Sequence, residues 1–300
     1  MFKQITIVGF GLIGSSIARG ILENKLCETL ICVDKSEQAC ETVAKLGLAH
    51  HAYTDIAQGV QGSDLVILAV PVGIMGDVTA QMAAHLKTGA IVSDAGSVKK
   101  SVIDAVMETL PEGTHFVPAH PLAGTEFSGP EHGFAELFHN RWCVLTPQPE
   151  TELKAIEKVT ALWEGLGSNV EIMDAEHHDL VLGITSHLPH LIAYSIVGTA
   201  TDLEDDIKSE VIKFSATGFR DFTRIAASDP TMWRDVFLTN KNAVLEVLQR
   251  FTEDLTALQK AIRKEDGEYL YQHFSETRDI RREIVDAGQA DYVYPEDGEK

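Results

Sequence analysis

The stretch from Ile5 to Asp34 limits the possible fold more than any other part of the chain. Ile5, Ile7 and Val8 form an apolar strand pattern, and Gly9-Phe10-Gly11-Leu12-Ile13-Gly14 follows without a gap. From Ser15 onward, Ile17, Ala18, Ile21 and Leu22 recur at helical spacing. A strand that turns into a helix through three glycines predicts a dinucleotide cradle. Gly9 takes the bend, Gly11 leaves room for a pyrophosphate, and Gly14 lets helix and strand pack closely. The unpaired N–H groups of the first helical turn, with the positive end of the helix dipole, face the phosphates. Gly9, Gly11, Leu12, Ile13 and Gly14 are thus expected to contact the cofactor. A second apolar run, Leu30 to Val33, ends on Asp34. An acid there accepts hydrogen bonds from both ribose hydroxyls and repels a 2′-phosphate, so NAD is expected over NADP.

Alternation of strands and helices continues to Met173. Strands are expected at Asp64–Val70 (stopped by Pro71), Ala90–Asp94, Phe116–Ala119, Trp142–Thr146 and Val170–Met173. The helices between them are expected at Glu37–Lys45, Val72–Leu86, Ser97–Leu110 and Thr151–Leu166. This alternation predicts an α/β domain, a Rossmann-type doubly wound parallel sheet, over residues 1–173. Beyond Asp174 the strand signals stop, and residues 174–300 are expected to form an all-helical second domain. Asp174 to Thr199 reads as one long helix kinked at Pro189. Asp229-Pro230 is a helix start, with the acid as N-cap and proline at the first position. Trp233, Phe237, Asn240, Val244, Val247, Phe251, Leu255, Leu258 and Ile262 then form one stripe on a helix of about thirty residues. So long a stripe implies a homodimer through residues 174–290. A last helix is expected over Asp266–Val285, followed by a loose acidic tail from Tyr292 to Lys300.

Charge and cysteines narrow the partners. The 300 residues carry 45 acidic and 25 basic side chains, a formal charge of −20, which argues against nucleic acid or an anionic membrane. No apolar run is expected to approach the ~20 residues of a membrane span. The chain begins on the nucleotide-binding strand, leaving no room for a signal peptide. Cys27, Cys32, Cys40 and Cys143 lack paired spacing and are expected to be reduced thiols in a cytoplasmic enzyme.

In a doubly wound sheet, ligands bind beyond the carboxyl ends of the strands. The loop Ser93-Asp94-Ala95-Gly96-Ser97-Val98-Lys99 lies at such an end, and Ser97 is either a helix N-cap or a hydroxyl facing the nicotinamide. Ala119-His120-Pro121-Leu122-Ala123-Gly124-Thr125-Glu126 puts a histidine at another. His120 either accepts a proton from a substrate hydroxyl or bonds a backbone carbonyl. His187-Leu188-Pro189-His190 places two imidazoles three apart, with no third metal ligand evident, so no metal is expected. Arg220 and Arg224 suit a carboxylate through their planar forks, or pair with Asp221 and other acids on the surface.

Together, GFGLIG, AVP at Ala69–Pro71, DAGSVK, HPLAGTE, SHLPH and GFRDFTRIAASDPTMWRD resemble the prephenate/arogenate dehydrogenase family of tyrosine biosynthesis, over about residues 3–285. The resemblance implies a Rossmann domain, a helical dimerisation domain, and a substrate cleft between them. It implies that His120 bonds the ring hydroxyl with Ser97 orienting it, that Arg224 holds a carboxylate, and that His190 lines the substrate pocket. Thr125, Glu126, Asp221 and Trp233 match positions lining or gating the cleft, and Val70 and Pro71 fall to the cofactor site. The implied reaction takes hydride from the ring carbon to NAD⁺ while His120 draws the hydroxyl proton, and the ring carboxylate leaves as CO₂. The family's optional regulatory and mutase domains are not expected. The competing expectation is a two-domain dehydrogenase of the β-hydroxyacid type, which uses a lysine on the helix opening the second domain. Asp174 to Thr199 contains none.

Overall fold

The computed structural model of the protein describes residues 2–125, 127–201, 210 and 213–286. The expected loose tail at 292–300 lies outside them. Six parallel strands, β1 (Phe2–Val8), β2 (Cys27–Val33), β3 (His51–Tyr53), β4 (Leu65–Leu68), β5 (Ile91–Asp94) and β6 (His115–Val117), form one sheet. Their order is β3-β2-β1-β4-β5-β6. The chain therefore reverses its direction of growth between β1 and β4, which opens a crevice at their carboxyl ends. The helices α1 (Leu12–Glu23), α2 (Glu37–Leu46), α3 (Ile56–Val60), α4 (Met75–Met82) and α5 (Lys100–Met107) connect these strands. Two apolar clusters flank the sheet, one around Ile5, Ile7, Leu30 and Leu65, the other around Val8, Val66, Val92 and Met75. Alternate residues of each strand thus face opposite layers, as a sheet covered on both sides requires.

The last strands depart from a single parallel sheet. Pro118 divides the expected strand Phe116–Ala119 into β6 and β7 (Ala119–Pro121), which belong to different sheets. Proline lacks the N–H needed to continue a ladder, while its carbonyl accepts from Thr146 N at 3.1 Å. β7 pairs antiparallel with β8 (Trp142–Leu145), and β8 pairs parallel with β9 (Asn169–Ile172). Helix α6 (Leu153–Gly165) joins the last two. The short β3 and α3 carry too few residues to show a period and had no counterpart in the sequence reading.

Among the described residues, helices alone follow Ile172. Asp174 caps α7 (Ala175–Leu182) by accepting from the N–H groups of Glu176 and His177. The break expected at Pro189 takes the form of a π turn, Gly183–His187, before α8 (Leu188–Thr201). A wide turn there separates the proline ring from the carbonyl one turn back. The run Ala175–Ala200 is long and apolar enough by length and composition to cross a membrane, contrary to expectation, and 22% of its most apolar 18-residue window is buried. After α9 (Thr217–Thr223), the expected thirty-residue helix is two helices, α10 (Pro230–Thr239) and α11 (Lys241–Arg263). They break at Asn240 (φ −99, ψ 30), whose amide is drawn aside by long-range partners. Asp229 caps α10 as expected, accepting from Met232 N at 2.9 Å. Helix α12 spans Gly267–Asp286. By contact density the chain divides into residues 1–245 and 246–300, later than the change from mixed elements to helices.

Candidate active site

The glycine turn sits at the sheet's switch point, and each glycine has a separate reason to be there. Gly9 has φ +94, and a Cβ on it would lie 2.7 Å from the Ala69 carbonyl oxygen and 2.9 Å from the Val70 side chain. A Cβ on Gly14 would overlap the Gly9 carbonyl. A Cβ on Gly11 would meet nothing within 4 Å. Gly9 and Gly14 thus satisfy the fold, whereas Gly11 leaves space above the turn. Helix α1 starts there with no side-chain cap and no acid in its first turn. Its first N–H groups, Leu12 and Ile13 among them, are therefore available to an anion. Asp34 closes the other side of the crevice, accepting from Phe10 N and Ser36 N, both at 2.9 Å. Each carboxylate oxygen keeps a lone pair for a further donor. An open Gly11, an uncapped helix and a terminal acid fit a dinucleotide. Val70 backs the turn, and the exposed Pro71 follows it.

His120 lies on β7, buried to 7% exposure. Its Nδ1 is 2.8 Å from His178 Nε2, and His178 Nδ1 is 2.9 Å from Asp179 Oδ1. Asp179 also accepts the N–H groups of Lys99 (2.8 Å) and Lys100 (2.9 Å) at the start of α5. Burial, with His178, Lys99 and His187 nearby, holds His120 well below the usual histidine range. Beneath this pair, the fully buried Lys99 ammonium binds Asp94 and the Ala119 carbonyl, while Asp94 Oδ1 accepts Ala119 N at 3.1 Å. A buried ion pair of this kind is weak evidence for stability, but it ties the β5 loop to the strand that carries His120. Ser97 is half-buried in that loop. It is not the N-cap of α5, which begins at Lys100 with Lys99 as its cap residue, and no hydrogen bond joins Ser97 to His120.

The helical residues converge on the same end of the sheet. Val98, Trp233 and Val236 form a small cluster with Val72, Tyr194 and Phe237. His190 stacks on Trp233, with ring centroids 3.6 Å apart, and its Nδ1 is 2.9 Å from the Ser186 carbonyl. Burial lowers the pKa of His190, and the nearby charge of Arg224 lowers it further. His187 lies deeper, with its Nδ1 accepting from Asn240 Nδ2 at 3.0 Å. Burial brings its pKa down to about 4. Among the described residues, two buried ring nitrogens here make no hydrogen bond of good geometry, His187 Nε2 and Trp233 Nε1, on rings 6.0 Å apart, although the Ser97 main chain lies near enough to His187 to raise its pKa. Arg224 is exposed. Arg220 and Asp221 form a surface ion pair at 3.4 Å, the bland alternative for that arginine. Thr125 is exposed, and its hydroxyl accepts from Phe127 N at 3.3 Å. Glu126 lies outside the described residues.

Several members of this constellation had no assigned role in the sequence: His178, Asp179, Asp94, Lys99 and Asn240. Only Asn240, a polar residue within an apolar stripe, carried a local signal. Among the described residues, no group of three or more His, Cys, Asp or Glu could hold a metal ion. A surface cavity of about 380 Å³ beside Phe2, Lys25, Leu26 and Leu162 lies at the opposite, amino end of β1.

A doubly wound sheet with an anion-ready turn at its switch point, followed by a helical segment rich in buried histidines, fits a nucleotide-dependent dehydrogenase. The nucleotide-binding domain of prephenate dehydrogenase matches residues 17–172, and the dimerization domain of prephenate dehydrogenase matches residues 174–276. The chain belongs to the prephenate dehydrogenase family. It is 45% identical to the cyclohexadienyl dehydrogenase of Zymomonas mobilis, over 94% of this chain and 96% of that protein. It is 34% identical to the prephenate dehydrogenase of Bacillus subtilis, over 94% of this chain and 76% of that protein. Among solved structures, the Aquifex aeolicus prephenate dehydrogenase in complex with hydroxyphenyl propionate and NAD⁺ superposes with a TM-score of 0.88. It is 33% identical and covers 95% of this chain and 99% of that one.

Proposed function

We propose that the protein catalyses the NAD-dependent oxidative decarboxylation of prephenate to 4-hydroxyphenylpyruvate, or of arogenate to tyrosine, as a homodimer in the cytoplasm. The observation that carries this reading is a buried, neutral histidine on the strand that follows the parallel sheet, with one ring nitrogen held and the other left without a partner among the described residues. NAD⁺ accepts the hydrogen and electron pair that leave the ring carbon. His120 takes the hydroxyl proton as the C–O bond gains double-bond character, then returns it to the same oxygen as CO₂ leaves and the ring becomes aromatic. Gly11, Leu12 and Ile13 receive the pyrophosphate on main-chain N–H groups, and Asp34 receives the ribose hydroxyls. Arg224 holds a substrate carboxylate with its planar fork. The Trp233 N–H, unpartnered among the described residues, offers a donor to a substrate oxygen, because a buried donor left unpaired is costly. His190 and Trp233 form one wall of the pocket. Thr125 and Asp221 stand at its rim, Ser97 faces the nicotinamide, and Glu126 is assigned to substrate binding from its sequence motif alone.

Homodimer formation is supported by the match to a dimerization domain and by the apolar run Ala175–Ala200, most of whose residues are only partly buried or exposed within their own chain. The test of function is direct. NADH should appear when prephenate and NAD⁺ are mixed with the protein, and its absence with both prephenate and arogenate would overturn the assignment. The ratio of kcat/KM for the two substrates decides between them.

A further inference from the structure

The geometry points to His178 and Asp179 as a positioning pair that sets the tautomer of His120 and receives the charge it takes up. This rests on the function proposed above. The tautomers follow one from another. Three N–H groups converge on the Asp179 carboxylate, from Lys99, Lys100 and His178 Nδ1. A carboxylate only accepts, so His178 Nδ1 carries hydrogen. Burial keeps His178 neutral, with the bond to Asp179 opposing that effect, so His178 Nε2 is bare. The His120 Nδ1 facing it at 2.8 Å must then be the protonated nitrogen. Neutral His120 is left with a bare Nε2, the only ring atom able to take a proton from substrate.

The same chain gives the proton's charge somewhere to rest. When the substrate O–H bond breaks and the Nε2–H bond forms, the electron pair stays on oxygen and His120 becomes an imidazolium. Its Nδ1 proton lies on the line to His178 Nε2, and moving across puts the positive charge beside Asp179. The proton returns by the same route to the phenol oxygen. Because Asp179 is anchored to the first turn of α5, the pair also holds His120 in register with the β5 loop. His178 and Asp179 touch neither substrate nor cofactor in this scheme.

The experiment compares the parent enzyme with His178→Phe, which fills the site without an acceptor, and His178→Gln, whose amide can accept from His120 and donate to Asp179. With prephenate and NAD⁺, His178→Phe should lose about 5- to 150-fold in kcat, the effect of an unpaired buried donor, with KM unchanged. His178→Gln should recover most of that loss. In ¹⁵N-histidine NMR, parent His120 should be the Nδ1–H tautomer, and His178→Phe should lose that preference. A folded His178→Phe with parental kcat, or a parent His120 in the Nε2–H form, would overturn the pair. If His178→Phe does not fold, the Gln variant and the parent tautomer decide. A parent that binds NAD⁺ but does not oxidise prephenate or arogenate defeats the proposed function, while the tautomer measurement still decides the pair.

Discussion

The two ends of the site are built by opposite means. At the glycine turn the chain presents main-chain N–H groups, and its side chains matter chiefly by being absent. At the His120 end, the proposed chemistry depends on imidazoles brought from three places, β7, α7 and the π turn, each held by a partner distant in sequence. The turn's tolerance is steric and all-or-none. The histidine end is graded, because each link can be weakened separately. Substitutions should therefore divide into two patterns, and the following expectations test that division.

The largest effect belongs to His120. His120→Asn should lower kcat by ~10²–10⁴-fold, the usual worth of a positioned base, with KM for both substrates little changed. Because burial holds His120 well below the histidine norm, the acidic limb of the parent kcat profile should lie well under pH ~6.5. The unperturbed value is not expected. An acidic limb at the ordinary histidine value would show that the buried arrangement does not persist in the working enzyme.

Next is acid stability, which should fail at the histidine end first. A buried histidine whose folded pKa is depressed binds fewer protons folded than unfolded. Its contribution is complete above the unfolded value of ~6.5 and is lost as pH falls towards the folded value. For His187, with a folded pKa of about 4, that window carries roughly 2–4 kcal/mol. Thermal melts from pH 7 to 4 should show a steep fall in Tm that His187→Gln reduces. A flat profile would contradict the burial described here.

How much of this was visible beforehand follows from the same contrast. The turn was legible because each of its demands falls within a few residues: Gly9, Gly11 and Gly14 lie five positions apart at most. The strands that pair in the large sheet, the three-residue β3 excepted, were legible for the same reason, as short apolar runs. His178 and Asp179 were not, because adjacent helical residues carry no periodic signal. Their meaning comes from α5, 79 and 80 positions away in the hydrogen-bond pairs. The split at Pro118 depended on which strands pair, and the break at Asn240 on the Asp179 carbonyl and His187. His120 itself was found from its place at a strand end, but the hydrogen bonding of its ring was not.

Arg224→Ala comes third. The arginine is proposed to hold a carboxylate equally in ground and transition states, so its loss should raise KM by roughly 10- to 150-fold with kcat less affected. If KM is unchanged in a folded variant, the carboxylate is held elsewhere, and the surface-paired Arg220 becomes the first candidate. Asp34→Ser should follow, narrowing the preference for NAD⁺ over NADP⁺ by ~10-fold as the charge facing a 2′-phosphate is removed. A parent enzyme that uses NADP⁺ as well as NAD⁺ would remove that role from Asp34.

The smallest effect on folding, and the sharpest test of the turn, is Gly11→Ala. Its backbone, φ −72 and ψ −161, is open to any residue, and the added methyl would meet nothing within 4 Å. Stability should change by less than ~1 kcal/mol, because the lost freedom of the unfolded chain favours the folded state. The methyl would, however, occupy the space through which a pyrophosphate approaches the main chain. NAD⁺ affinity should therefore fall although the melt does not. Gly9→Ala supplies the contrast: at φ +94, and 2.7 Å from the Ala69 carbonyl, the same methyl should lower Tm before any nucleotide is added. Calorimetry with and without NAD⁺ separates the two. If Gly11→Ala binds NAD⁺ as tightly as the parent, the phosphates do not approach at Gly11 and the open face of the turn has another use. If it unfolds like Gly9→Ala, the space above Gly11 is not open in the protein itself.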